Sequence, residues 1–80
     1  MAEHPRFSER LIIVSQVMHY EFEGRLYAYA PYAREIDIWA DIFNHISIAA
    51  PCRNQKPPPD CARFEHSNLR VIPLMRAKMR

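Results

Sequence analysis

The side chains best able to do chemistry lie close together in the first half of the sequence. His19 can accept a proton or hydrogen-bond a sugar hydroxyl as a neutral imidazole, or it can be a surface histidine with no role. Tyr20 and Tyr27 offer aromatic faces that stack on sugars or acyl groups, whereas Tyr29 and Tyr32 fall at helical spacing and are explained as core. Tyr20 and Tyr27, with His19, are therefore the predicted ligand contacts.

Glycine is scarce in this chain, and this excludes whole classes of nucleotide site. Gly24 is the single glycine, so neither a G-x-G-x-x-G dinucleotide fingerprint nor a P-loop is present. A nucleotide-dependent oxidoreductase is excluded on this ground, and a phosphate is expected to approach the backbone only near Gly24. The first apolar run ends in Ser15 and Gln16 rather than in acids, which excludes a phospho-receiver domain.

The cysteines and histidines raise the question of a metal. The spacing of Cys52 and Cys61 does not match the paired C-x-x-C of a zinc knuckle, even with His45 and His66 nearby in the sequence. No metal and no cofactor are predicted. Because nothing indicates an oxidising compartment, both cysteines are expected to be free thiols.

Apolar periodicity predicts the elements that position these residues. Tyr27–Phe43 reads as an amphipathic helix with Pro31 in its first turn and Asn44 as a left-handed cap. The runs at 11–17, 46–50 and 68–73 read as buried strands. The predicted fold is α/β: a partial Rossmann-like βαβ unit with about three parallel strands and one main helix, belonging to a larger doubly wound domain. The apolar face of the predicted helix consists of Tyr29, Tyr32, Ala33, Ile36, Trp39, Ala40 and Phe43.

Parallel topology also predicts where a site lies. Ligands of such sheets bind outside the carboxyl ends of the strands. These ends are Gln16, Val17 and the following loop 18–26, together with Pro51, Cys52 and Arg53 after the second strand.

Some apolar surface in this arrangement lacks an evident cover. The first strand is apolar throughout, as in a strand covered on both faces, yet only one helix is predicted. Ile38 and Ile42 lie off the main helix stripe, where a second helix, a partner domain or a second copy would cover them; scattered exposed isoleucines would equally need no explanation.

The domain is expected to comprise a flexible arm at 1–10, the β-loop-α-β-loop-β unit at 11–73, where the proline-rich stretch forms an irregular loop, and a basic tail at 74–80.

Charge is nearly balanced overall but unevenly distributed. The net charge is +2. Up to Pro51 there are four basic and seven acidic residues, and from Cys52 onward seven basic and two acidic ones. The basic end is expected to be a solvated loop and tail, or to bind phosphates or an anionic membrane surface. Any membrane contact is therefore expected to be peripheral. No specific nucleic-acid partner is indicated. With neither a secretory signal nor a membrane-spanning run, the predicted location is cytoplasmic.

The stretch LIIVSQVMHYEFEGRLYAYAPYAREIDIWADIFNHISIAAPCRNQKPPPDC, continuing to NLRVIP, resembles the amino-terminal edge of a family-4-type glycosyltransferase of the GT-B fold. The resemblance covers 11–73 and depends on the strand ending in Ser15 and Gln16, the helix phrase YAREIDIWADIF and the AAPCR turn.

This resemblance implies a retaining transfer of a sugar from a nucleotide-sugar donor, with the amino-terminal domain binding the acceptor. It implies that His19, Tyr20 and Tyr27 are acceptor-side residues and that Gly24 and Arg25 lie on the donor-phosphate side. Donor and acceptor would be held with a carboxyl-terminal domain that has no counterpart in the 80 residues. No catalytic residue is assigned, and the chain alone is expected to be inactive. The alternative is a small stand-alone Rossmann-like binding module without catalysis.

Overall fold

The computed structural model describes residues 7–74, which form seven strands and one helix. The order along the chain is strand, hairpin, helix, strand, followed by three shorter strands. The elements are β1 (Phe7–Val14), β2 (His19–Phe22), β3 (Arg25–Tyr29), α1 (Ala30–Ala40), β4 (Phe43–Ala50), β5 (Cys52–Asn54), β6 (Cys61–Arg63) and β7 (Leu69–Pro73).

Three of the strands form a parallel sheet in the order β1-β4-β7. Ile13 pairs with Ile48, and Ile48 pairs with Val71. The parallel pairing of the first two long apolar runs, with the helix between them in the chain, confirms the predicted α/β topology. The first strand begins at Phe7 rather than Leu11, so the arm predicted at 1–10 is partly strand. Residues 1–6, the rest of that arm, lie outside the described residues, as do residues 75–80 of the tail.

A second, four-stranded sheet in the order β5-β2-β3-β6 was not predicted. The stretch expected to be a loop forms an antiparallel hairpin of β2 and β3 around Glu23 and Gly24. Both turn residues have positive φ, 53° and 76°, as a two-residue type I′ hairpin turn requires. The hairpin was missed because only Gly24 of this pair is a residue typical of such turns.

The proline-rich stretch was wrongly predicted to be entirely irregular. β5 pairs parallel with β2, and β6 pairs antiparallel with β3. The three consecutive prolines, Pro57 to Pro59, lie between β5 and β6, where no ladder needs their missing N–H groups. The prolines therefore join two short edge strands of the second sheet.

The helix is shorter than predicted at both ends. Tyr27 and Tyr29 belong to β3, and α1 begins at Ala30 with Pro31 in its first turn, as expected. Its C-cap is Asp41 in right-handed geometry, so the expected left-handed cap at Asn44 is wrong. Trp39 is 43% exposed rather than buried, because it lies at the edge of the apolar stripe.

The core lies between α1, the central strand β4 and the inner face of the second sheet. Its fully enclosed apolar side chains are alanines and isoleucines, and the small alanines let the helix approach the strands closely. The core residues are Ala28, Ala33, Ile36, Ala40, Ile46, Ile48, Ala50 and Phe64.

The opposite face of the parallel sheet is open. Ile12, Val14 and Ile72 are 62%, 78% and 43% exposed, whereas Leu11 and Ile13 pack against the core. β1 therefore buries only alternate side chains, although strands of parallel sheets are usually covered on both faces. Ile38 on the helix is also exposed, at 63%. No helix within residues 7–74 is long and apolar enough to span a membrane.

Candidate functional site

A cleft of ≈ 720 Å³ lies at the carboxyl edge of the parallel sheet. The predicted loops after β1 and β4 meet here, where ligands of open α/β sheets bind. Backbone hydrogen bonds hold the edge together: the Ser15 N–H donates to the Ala49 carbonyl at 3.0 Å, and the Leu74 N–H donates to the Ala50 carbonyl at 3.0 Å. The cleft is lined chiefly by Ser15, Gln16, Met18, Pro51, Cys52 and Arg53.

The groups that line this cleft are suited to binding rather than to proton transfer. Ser15 and Gln16 offer a hydroxyl and an amide, and Arg53 offers a guanidinium for an anion. Burial, together with the nearby carboxylate of Glu21, raises the pKa of the Cys52 thiol. Cys52 is therefore a neutral thiol near pH 7 and not an activated nucleophile.

His19 pairs with the cleft residue Cys52 and has no exposed surface. Its Nδ1 lies 2.8 Å from the Val17 carbonyl and its Nε2 lies 3.2 Å from the Tyr32 hydroxyl. Because a carbonyl only accepts, Nδ1 carries the proton and Nε2 accepts from Tyr32. The ring also stacks on Phe64, with centroids 5.9 Å apart and planes 1° apart.

A further hydrogen bond fixes the loop after β1: the Val17 N–H donates to Ser15 Oγ at 3.0 Å. Burial lowers the pKa of His19, with the Val17 carbonyl opposing this effect, and burial raises the pKa of Tyr32. The imidazole is thus a neutral link between the β1 loop, β2 and α1. For His19 to contact an acceptor, as predicted, this loop must first open.

Tyr20 and Tyr27, the other two predicted acceptor contacts, are brought side by side. They are directly paired across β2 and β3, and both are half-buried. His19 precedes Tyr20 in the strand and therefore projects to the opposite face. The structure separates the predicted set into one enclosed imidazole and one pair of aromatic rings on the outer face of the second sheet.

Gly24 and Arg25 lie at the far end of the hairpin from the carboxyl-edge cleft. They line two shallow grooves, one shared with Arg70 and the other with Arg63. The space around Gly24 would accommodate a Cβ, since nothing lies within 4 Å of one. Gly24 is therefore explained by the turn conformation, and the structure does not bring the predicted donor-phosphate residues to the edge where Ser15 and Arg53 meet.

Arg63 was missed by reasoning from sequence. It pairs directly with Tyr27, and its guanidinium lies 3.9 Å from the Glu65 carboxylate. No periodicity was available to indicate it, because β6 has only three residues and follows the proline-rich stretch.

Asp37 forms a second polar cluster where the helix meets the loop before β7. Its carboxylate accepts the Glu65 N–H at 3.0 Å and the His66 N–H at 3.3 Å, and it lies 3.0 Å from His66 Nδ1. Asp41, one turn later, lies 3.7 Å from His66 Nε2. This cluster holds the loop against the helix.

Within the part of the chain that the structure describes, no group of three or more histidine, cysteine or acidic side chains is placed to hold a metal. Cys52 and Cys61 are free thiols. They lie on β5 and β6, the two edges of the second sheet, with two strands between them.

Comparison of the chain with protein-family models, with curated proteins and with solved structures finds no match.

Proposed function

We propose that this chain is the amino-terminal, acceptor-side part of a glycosyltransferase that transfers a sugar from a nucleotide-sugar donor to an acceptor. The observation that carries the proposal is the cleft between the β1 and β4 loops at the carboxyl edge of a parallel sheet. Sugar chemistry enters through the resemblance of the stretch 11–73 to such enzymes. The chain is then a partial Rossmann-like domain acting in the cytoplasm, in keeping with its two free thiols.

The contribution of these residues is to bind and position an acceptor. Gln16 and Ser15 supply neutral hydrogen-bonding groups for hydroxyls, and Arg53 supplies one positive charge at the cleft. Stabilising a leaving diphosphate takes several positive groups that hold both substrates in line. His19 is enclosed and Cys52 is held neutral. Transfer therefore needs groups beyond these, because Gly24 and Arg25, the expected donor-phosphate neighbours, lie at the far end of the hairpin from the cleft.

The open face of the parallel sheet supports a partial domain. Ile12, Val14 and Ile72 form an apolar surface that a layer of helices would cover in a complete doubly wound domain. In the chain alone, this face, or the surface of the exposed Ile38 and the half-buried Ile42, is proposed for self-association. Replacing both Ile12 and Val14 by threonine is expected to reduce self-association in analytical ultracentrifugation. Replacing Ile38 by threonine tests the helix surface separately.

A stand-alone binding module without catalysis is the second candidate. It is favoured by the second sheet, which encloses the core together with α1 and so completes one side of the fold. This candidate predicts a monomer or a defined dimer with cooperative unfolding, whereas a partial domain predicts concentration-dependent association. The two candidates share the cleft and differ in what covers Ile12 and Val14.

Ligand protection of Cys52 tests the proposed site. The Cys61→Ser variant leaves Cys52 as the single thiol, so alkylation by iodoacetamide reports on the cleft. Nucleotide sugars and sugar acceptors are expected to slow the labelling in a saturable way. A matched Cys52→Ser variant, labelled at Cys61, should show weaker protection, because Cys61 lies on β6 at the opposite edge of the second sheet from the cleft. Equal labelling rates with and without every sugar ligand would contradict the proposal.

A further inference from the structure

Four side chains form a row across the outer face of the second sheet. Its register pairs Arg53 with Tyr20, Tyr20 with Tyr27, and Tyr27 with Arg63. Directly paired residues project from the same face, and neighbouring strands lie about 4.8 Å apart, so this arginine–tyrosine row spans about 14 Å.

The other face of the same strands is the one that the core occupies. Ala28 is fully buried and pairs with Ala62, and His19 is fully buried and pairs with Cys52. Because successive residues of a strand alternate between faces, the arginine–tyrosine row must lie on the face turned away from the core. Two half-buried aromatic rings are thus flanked by two exposed arginines.

We propose that the arginine–tyrosine row binds an anionic oligosaccharide, and that this is the acceptor of the proposed sugar transfer. The inference rests on the proposed function and adds the chemical class of the acceptor. Apolar faces of sugar rings pack on the rings of Tyr20 and Tyr27. Carboxylate groups of the sugar accept hydrogen bonds from Arg53 and Arg63, whose planar guanidinium groups suit bidentate recognition.

The row is continuous with the cleft, because Arg53 belongs to both. A chain of about three sugar rings covers the span from Arg63 to Arg53, which brings its end to the carboxyl edge of the parallel sheet. The tyrosines therefore hold the body of the acceptor, and the cleft receives its reacting end.

The charges on this face complement an anion. Arg25 lies on the same face one pair further along, since it pairs with Phe22. Arg63 has an acidic neighbour, Glu65, at 3.9 Å, but both side chains are exposed, so this ion pair is weak and leaves the guanidinium available. Three arginines suit a short acidic sugar better than a nucleic acid, whose binding takes a longer basic groove.

Titrations of the full chain with three probes test the inference: tetragalacturonate, the neutral tetramer maltotetraose, and an eight-nucleotide oligothymidylate. Tetragalacturonate is expected to bind at least about tenfold more tightly than maltotetraose. Arg53→Gln and Arg63→Gln should each weaken tetragalacturonate binding by about tenfold. Arg34→Gln, which removes the same charge from the exposed side of α1, should leave binding unchanged.

The outcomes separate this inference from the proposed function. If maltotetraose binds as tightly as tetragalacturonate and still protects Cys52, the anionic acceptor is wrong while the sugar-binding cleft stands. Tighter binding of oligothymidylate at the same arginines would replace the oligosaccharide by single-stranded nucleic acid. If no sugar binds and none protects Cys52, both proposals fail. Tyr27→Leu is expected to weaken the binding of every sugar. If that variant does not fold, the Arg53→Gln and Arg63→Gln variants test the arginine–tyrosine row instead.

Discussion

The hydroxyl of Tyr32 and Nε2 of His19 lie 3.2 Å apart and join the helix to the first strand of the hairpin. His19 is fully buried, so the hydrogen bond from Tyr32 satisfies a nitrogen that water cannot reach. This pair makes the geometry of the cleft loop depend on the packing of the core.

Replacing Tyr32 by phenylalanine should destabilise the protein. The change leaves Nε2 of His19 buried without a donor, which costs about 1 to 3 kcal/mol in the free energy of unfolding. Urea denaturation measures this cost. Tyr29→Phe is the matched control, because Tyr29 is 51% exposed and should change stability little. Equal effects of the two substitutions would show that the hydrogen bond contributes nothing.

Stability should depend on pH through His19. Burial lowers the pKa of His19 in the folded protein below its ordinary value of 6.5, so the unfolded chain takes up a proton that the folded chain excludes. The contribution of His19 to the free energy of unfolding is therefore fully present above pH 6.5. As the pH drops below this value, the free energy of unfolding falls by at most about 1.4 kcal/mol per pH unit.

Urea denaturation of the wild type and of His19→Gln between pH 8 and pH 5, a range of about three units around the ordinary histidine pKa, measures this dependence. The variant should show the smaller slope. His45→Gln is the control, since it removes an exposed histidine instead of the buried one. Identical slopes for all three proteins would exclude His19 as the source.

Asp37→Asn should loosen the loop before β7. The carboxylate accepts two backbone N–H groups and contacts His66, and its side chain is 13% exposed. Losing its charge is expected to cost about 1 to 2 kcal/mol in the free energy of unfolding. Hydrogen exchange should show faster exchange of the Glu65 and His66 amides. The control is Glu35→Gln on the exposed side of the same helix, and comparable exchange in both variants would contradict this role.

Gly24→Ala should destabilise the hairpin by about 1 kcal/mol, because φ is +76° and an alanine pays a conformational cost there. A steric clash is not expected, since the space around Gly24 is open. Glu23→Asn should act in the opposite direction, because Asn tolerates the positive φ of 53° at that position. Thermal unfolding of both variants checks the pair, and shifts of the same sign would argue against a type I′ turn.

The parallel sheet could be predicted from the sequence because its signals are local and strong. Continuous apolar runs at β1 and β4 and a helical period between them determine which segments are strands and helix. The site edge follows from this topology, which is why the loops bearing Gln16 and Arg53 could be named in advance.

Tertiary structure alone decided the second sheet and the surroundings of each polar or aromatic side chain of the candidate site. β5 and β6 have three residues each, too few for periodicity to distinguish them from loop, and they form strands because the β2–β3 hairpin offers two edges for pairing. Pairing across those edges places Arg63 beside Tyr27. Packing against Tyr32 and Phe64 encloses His19. A sequence shows that a histidine, tyrosines and arginines are present, whereas their accessibility and neighbours depend on contacts between segments far apart in the chain.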